Sequence, residues 1–188
     1  MTTTPTSDLA LLPADTVWEI DPGHAEVAFI GRHFMLTKVR GRFTDVTGEF
    51  RVGASMADAS VDVRIGMASV ESGNPARDEH IRSAELFDVE AHPTATFRST
   101  AVEWSGDRGT VHGDLTIHGV TREVQLKAEV QGVDVDPWGN ERVGLEVTGQ
   151  INRGDFGMTF NQALGSGNLL VSDKVKLALD ISAIKQAA

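Results

Sequence analysis

The chain contains no cysteine and no tyrosine, and only eight Phe and three Trp supply aromatic bulk. Without cysteine there is no disulfide framework and no thiolate chemistry, although that alone does not decide the compartment. Scarce aromatics mean that core volume must come from Val, Leu, Ile, Ala and Gly. Such an apolar face is either a thin packed core or the lining of a space, and both readings stand open at this level. Positive charge is also short: 17 Lys and Arg face 27 Asp and Glu, a formal net charge of −10. That balance argues against nucleic acid as a partner and against charge-driven adhesion to anionic membranes. No stretch approaches the ~20 consecutive apolar residues of a membrane span. No serine sits in a nucleophile elbow, and there is neither a strand-to-helix GxGxxG nor an HExxH.

The amino terminus lacks a basic leader as well. Residues 1–15 read MTTTPTSDLALLPAD, with no Lys or Arg ahead of an apolar run of only Leu9 to Leu12. A secretory signal wants a basic leader and an apolar core of ~7–15 residues. The expectation is a disordered tail over residues 1–14, one β-domain over 15–188, and a cytoplasmic protein.

What the chain does have is alternation. In HGDLTIHGVTREVQLKAEV, His112 to Val130, Leu115 and Ile117 alternate with polar neighbours on one arm, and Val124, Leu126, Ala128 and Val130 on the other. Period two means one apolar and one wet face, the signature of an antiparallel hairpin. Glycine at the first position of Gly119-Val120 suits a type II′ turn. The same grammar marks strands over 16–21, 24–34, 39–52, 59–65, 94–104, 141–153 and 175–181. Gly41 and Gly48 within the third of these read as bends or bulges. About nine strand candidates without βαβ alternation favour a sandwich or an up-and-down barrel. Between them Asn74-Pro75 is a good helix start, and Ile81, Leu86 and Phe87 give a helix-like face, as one helix or two pieces split near Ser83. Residues 154–173 form a connection too long to be idle.

Five motifs, in order, resemble the YceI family of lipocalin-like proteins over residues 18–184: WEIDPGHAEVAF (18–29), VRGRF (39–43), RDEHIRSAELFDVEAHPTATF (77–97), GDLTIHGVTREVQL (113–126) and NRGDFGMTFN (152–161). Two departures are Ala25, where the family often has serine, and the missing signal peptide of its periplasmic members. The resemblance implies an all-β fold: an extended eight-stranded antiparallel barrel with a short helical insertion. Its elongated apolar pore would hold a polyisoprenoid lipid, either an isoprenoid quinone or a polyprenyl diphosphate. It also implies a homodimer and lends binding without a reaction; no cofactor or metal is expected, and transient membrane contact is an open expectation. An eight-strand barrel is just wide enough for side chains or one slender ligand. Strands of about ten residues tilted ~40° make it roughly 25 Å tall, which suits a long thin molecule.

The expected lining is Val27, Phe29, Phe43, Val61, Val63, Ile65, Phe97, Leu115, Ile117, Leu126, Leu145 and Val147. Arg32, His33, Lys38, Arg40 and Arg42 crowd into eleven residues. They are either a dock for a diphosphate or quinone head group or a guard against edge pairing. Arg77, Asp78, His80 and Arg82 read as ties between insertion and barrel. Arg153 and Asp155 read as a turn-fixing pair, Asn161 as a partner for loop backbone, and Phe156, Met158 and Phe160 as a mobile lid. His112 and His118, roughly 20 Å apart along one strand, cannot share an ion. His24 and His33 read as rim histidines. Two alternatives to lipid binding remain: an acid–base enzyme at the mouth using His33 and Asp155, and a ligand-free structural or stress-response domain.

Overall fold

The computed structural model describes residues 12–187. Ten antiparallel strands form one sheet: β1 (Thr16–His33), β2 (Thr37–Phe43), β3 (Val46–Val52), β4 (Ser60–Gly66), β5 (Val70–Glu71), β6 (Thr94–Ser105), β7 (Arg108–Ile117), β8 (Val120–Val135), β9 (Glu141–Asn152) and β10 (Lys174–Lys185). β1 is long enough to pair with β3 through Thr16–Glu19 and with β2 through Val27–His33. β2 and β3 are therefore one rail of the wall, and β5 extends β4 by pairing with Arg42 and Phe43. With β10 closing on β1, the result is a closed eight-stranded antiparallel barrel.

The strand expected over 39–52 is thus interrupted. The Ser69 hydroxyl accepts the backbone N–H of Thr44 at 3.1 Å and of Asp45 at 3.0 Å, which draws those two residues out of the ladder. The break falls there and not at Gly41, whose missing side chain leaves room for the Phe29 ring. The β7–β8 turn is also corrected. His118 and Gly119 are its central residues, with φ of 54° and 70°, and Ile117 faces Val120. Two positive φ values make a type I′ turn, whose twist matches the flanking strands, in place of a II′ turn on Gly119-Val120.

Among the described residues one α-helix, α1 (Pro75–Arg82), interrupts the strands; the Asn74 side chain caps it by accepting from Arg77 N–H. It stops at Ser83, and the second piece is a string of turns: Leu86 and Asp88 donate to the Ser83 carbonyl and His92 to that of Asp88. Asp78 is buried and accepts from the Ser72 amide and hydroxyl, while Arg82 donates to the carbonyls of Ala68 (2.9 Å) and Val70 (2.7 Å). These are the ties between insertion and barrel. Among the described residues no helix is long and apolar enough to cross a membrane.

The barrel has two unlike ends. At the tryptophan end Leu12, Trp18, Phe50, Val52, Val130, Val143 and Ala183 pack into a floor, with the Trp18 and Phe50 rings stacked at 6.0 Å. The tail expected over 1–14 falls mostly on residues 1–11, outside the described residues, but Leu12 is buried in this floor, so packing begins before residue 15. At the insertion end lie the β1–β2 tip, α1 with its turns, the β7–β8 turn and the 153–173 connection.

Candidate functional site

Between floor and insertion end runs an apolar cavity of about 180 Å³. All twelve residues expected to line a pore line it. Alternation explains this: Val61, Val63 and Ile65 of β4 face inward, as do Leu145 and Val147 on the opposite wall. The cavity also takes Met56 and Trp104 at the floor end, Met67 and Ala95 at the other, and Leu177, Leu179 and Ile181 of β10. The β10 residues were readable from the same period-two pattern. Met56 and Met67 sit in short 3₁₀ turns where no period exists to be read. Every lining residue but Glu49 is apolar.

At the insertion end the cavity is lined by Phe29 and Phe43, and a third aromatic, Phe87, covers these two from outside the lining. Phe87, carried by the turns after α1, meets Phe29 edge-on at 5.9 Å and Phe43 at 5.8 Å. The expected lid is different in kind. Phe156 and Met158 are 1% and 4% exposed and belong to the core, and only Phe160, edge-on to His80, is partly open. Arg153 holds them there: its buried guanidinium donates to the carbonyls of Met158 and Phe160 at 2.7 Å and of Ser172 at 3.0 Å. Its ion-pair partner is Asp173 at 3.2 Å, not Asp155. Burial lowers the Arg153 pKa, and Asp173 opposes that shift. Asn161 does serve loop backbone, accepting from Val171 N–H and donating to the Val171 carbonyl.

The five basic candidates do not converge on the cavity, and none lines it. Lys38, Arg40 and Arg42 alternate with the inward Val39, Gly41 and Phe43, and so point outward. Arg40 bonds Glu26, and Arg42 bonds Glu71 at 3.1 Å. β2 pairs with β5 only at Phe43 and Arg42, so residues 37–41 are an open edge that Lys38 and Arg40 guard. Arg32 and Lys38 are different. They face each other across the β1–β2 ladder, both exposed, with no carboxylate partner among the described residues. Like charges directly opposed are unfavourable. They flank the exposed tip Phe34-Met35-Leu36, 39%, 44% and 76% accessible. His33 packs on Phe34 and bridges to Val171, while Asp155 is exposed in the Arg153–Phe156 turn; no hydrogen bond or ion pair joins them.

One constellation was not foreseen. Asp88 and His92 of the insertion and His118 of the β7–β8 turn bring one ligand atom each within 4.8 Å of the others. Spacing along β7 could not reveal it, because the partners come from a segment some thirty residues away that the turns fold back.

The YceI-like domain family matches residues 18–183. The chain is similar to "Protein YceI" of Salmonella newport, with 37% identity over 164 residues covering 87% of this chain and 83% of that one. An "UPF0312 protein" of Pseudomonas aeruginosa is 35% identical over 176 residues, 93% and 89% of the two chains. Among solved structures, Burkholderia cenocepacia BcnA superposes with a TM-score of 0.75 at 21% identity, covering 87% of this chain and 98% of BcnA. A polyisoprenoid binding domain from Saccharophagus degradans, implicated in plant cell wall breakdown, gives 0.69 at 17% identity over 90% and 98%.

Proposed function

The chain belongs to the YceI-like family, and from that membership and the barrel's interior we propose that it binds and carries a long-chain polyisoprenoid lipid. The observation that carries this reading is the cavity: apolar along its length, walled by every strand of the ring, and lined mainly by aliphatic side chains with a few aromatic ones. The polyisoprenoid-binding neighbour shares the fold and points the same way.

Magnitudes decide how such a ligand must sit. A cavity of about 150 Å³ admits one benzene, so 180 Å³ holds about one isoprene unit. Burying five carbons is worth about 4 kcal/mol gross, no more than the low end of the cost of association, about 4–15 kcal/mol. A useful carrier must therefore take up more of the chain than the resting cavity accommodates. The roof at Phe87 is the part that gives, because it hangs on turns, whereas the floor hangs on ladders. The prenyl chain then lies along the axis, with its quinone or diphosphate head at the insertion end. There Arg32 and Lys38 beside Phe34-Met35-Leu36 would meet an anionic bilayer transiently. The local cluster outweighs the net charge of −10, because charges beyond a Debye length are screened. A homodimer would cover the exposed Val133, Val135 and Trp138 at the other end, which light scattering tests.

The deciding experiment is organic extraction of the purified protein followed by mass spectrometry. A prenyl lipid is expected from the natural sequence and not from Val63→Phe/Val147→Phe, which fills the cavity from opposite walls while the protein still melts cooperatively. A clean extract, with no thermal shift on adding quinones or polyprenyl phosphates, overturns the reading.

A further inference from the structure

We propose that Asp88, His92 and His118 form a binding site for one divalent transition-metal ion, with zinc the natural probe. The donors come from two distant stretches of chain, and their ligand atoms lie within 4.8 Å of one another. Around a tetrahedral ion at ~2.0–2.1 Å, ligand atoms stand about 3.3 Å apart, so a contraction of about 1.5 Å closes the site. All three residues are half-buried, and the imidazole rings of His92 and His118 are 4.9 Å apart.

Three features mark this as a prepared cluster and not a chance one. First, His118 Nδ1 lies 3.1 Å from the Phe156 carbonyl oxygen. A carbonyl only accepts, so Nδ1 donates, and Nε2 keeps the lone pair. An imidazole held by a backbone carbonyl through one nitrogen, with the other free, is the usual arrangement around a metal-ligating histidine. Second, neither the Asp88 carboxylate nor the His92 ring makes a hydrogen bond among the described residues, so the three polar groups converge without satisfying one another. Third, the donors are presented by left-handed backbone positions, Asp88 at φ 46° and His118 at φ 54°, the latter fixed by the type I′ turn. Gly119 completes the arrangement, since a Cβ there would stand 2.7 Å from His92 Cε1 and push that ring away.

Two imidazoles and one carboxylate suit zinc, cobalt, nickel or copper, and suit magnesium or calcium poorly, because those prefer all-oxygen shells. Three protein ligands leave a fourth position for water or an exogenous oxygen. Bound there, the ion would pin the turns after α1 to the β7–β8 hairpin and, through Phe156, to the 153–158 segment. The site does not depend on what fills the barrel.

The test is calorimetric titration of zinc into the untagged, chelator-treated full chain. One ion per chain is expected, with a rise in melting temperature. His92→Gln and Asp88→Asn should each weaken binding at least tenfold, whereas His112→Gln, on the strand that leads into the His118 turn but outside the cluster, should leave it unchanged. Cobalt added to the natural sequence should give visible absorption bands of a four-coordinate site, a readout that needs no variant. Absence of saturable binding, a loss in His112→Gln equal to that in His92→Gln, or a cobalt spectrum identical to the free aquo ion overturns the proposal.

Discussion

The two ends of the barrel are closed by different means. The tryptophan end is closed by the strands themselves: Trp18 and Phe50 are register partners in adjacent strands, and Val143 and Ala183 pair in the next two. Its β8–β9 turn is tied to β1 by Arg142, which bridges Asp136 at 2.7 Å and Asp21 at 2.6 Å, and Lys185 meets Glu141 at 2.6 Å. The insertion end is closed by segments outside the ladders, with Phe87 on turns and Phe156 and Met158 on the Arg153-fixed connection. Of the five non-glycine residues with positive φ among the described residues, Phe34, Met35, Asp88 and His118 lie at that end, and Asp15 lies at the other. A barrel with one end made of wall and the other of attachments has one end that could part without breaking strand pairing. The lesson is that access is set by which closure can move without breaking strand pairing.

The largest effect separates floor from roof. Trp18 is fully buried, and Trp18→Ala should cost about 3–5 kcal/mol of unfolding free energy, with an unchanged denaturant slope. Phe87 is only partly buried, so Phe87→Ala should cost less, about 1–3 kcal/mol, while raising uptake of a fluorescent apolar probe. Equal costs, with no gain in uptake, would break the distinction between the ends.

Acid sharpens it. Arg142 beside Asp21 lowers that carboxyl to about 2, and the same guanidinium with Asn140 lowers Asp136 further. A carboxyl depressed in the folded state stabilises above its unfolded pKa, and that stability is lost as pH falls through the folded value. The window thus runs from about pH 4 down to about pH 2. For Asp21, partly exposed, the loss should be roughly 1–2 kcal/mol after allowance for solvent screening. Hydrogen exchange should show the β8–β9 turn and the start of β1 opening first in acid. In Arg142→Ala the acid-dependent step at this end should vanish, leaving the insertion end unaffected; if the step persists, other carboxylates carry it.

How much of this was legible depends on where the period holds. Val61, Val63 and Ile65, or Leu145 and Val147, announce an inner wall because a strand repeats every two residues and one face is apolar. Trp18 and Phe50 are placed by ladder register, which no local pattern states. The break at Thr44-Asp45 arises from Ser69, twenty-four residues on, and the fixing of Phe156 from an arginine whose acceptors are backbone carbonyls, invisible in composition. For the same reason the basic run 32–42 looked like one patch: proximity in sequence hid that Arg40 and Arg42 have acidic partners on neighbouring strands, whereas Arg32 and Lys38 have none among the described residues. The Asp88–His92–His118 group needed both the turns after α1 and a type I′ hairpin to exist.

The smallest effect tests which end meets a bilayer. Near an anionic membrane surface each Lys or Arg contributes about 1 kcal/mol, about fivefold in partitioning. Arg32→Ala and Lys38→Ala should each weaken flotation with phosphatidylglycerol-containing vesicles by about that factor, and the interaction should fade as salt shortens the Debye length. Leu36, the most exposed apolar residue of the tip, should matter even at high salt, because its burial is not electrostatic. Trp138, more exposed still, is the internal control: it lies at the far end, where the carboxylates of Asp21, Asp134, Asp136 and Glu141 outnumber Arg142 and Lys185 and an anionic surface is repelled. Trp138→Ala should leave vesicle binding as it was. Should it instead abolish binding while Arg32→Ala does not, the barrel docks by its floor, and access to the cavity would have to pass the stacked Trp18 and Phe50, contrary to what the packing at that end permits.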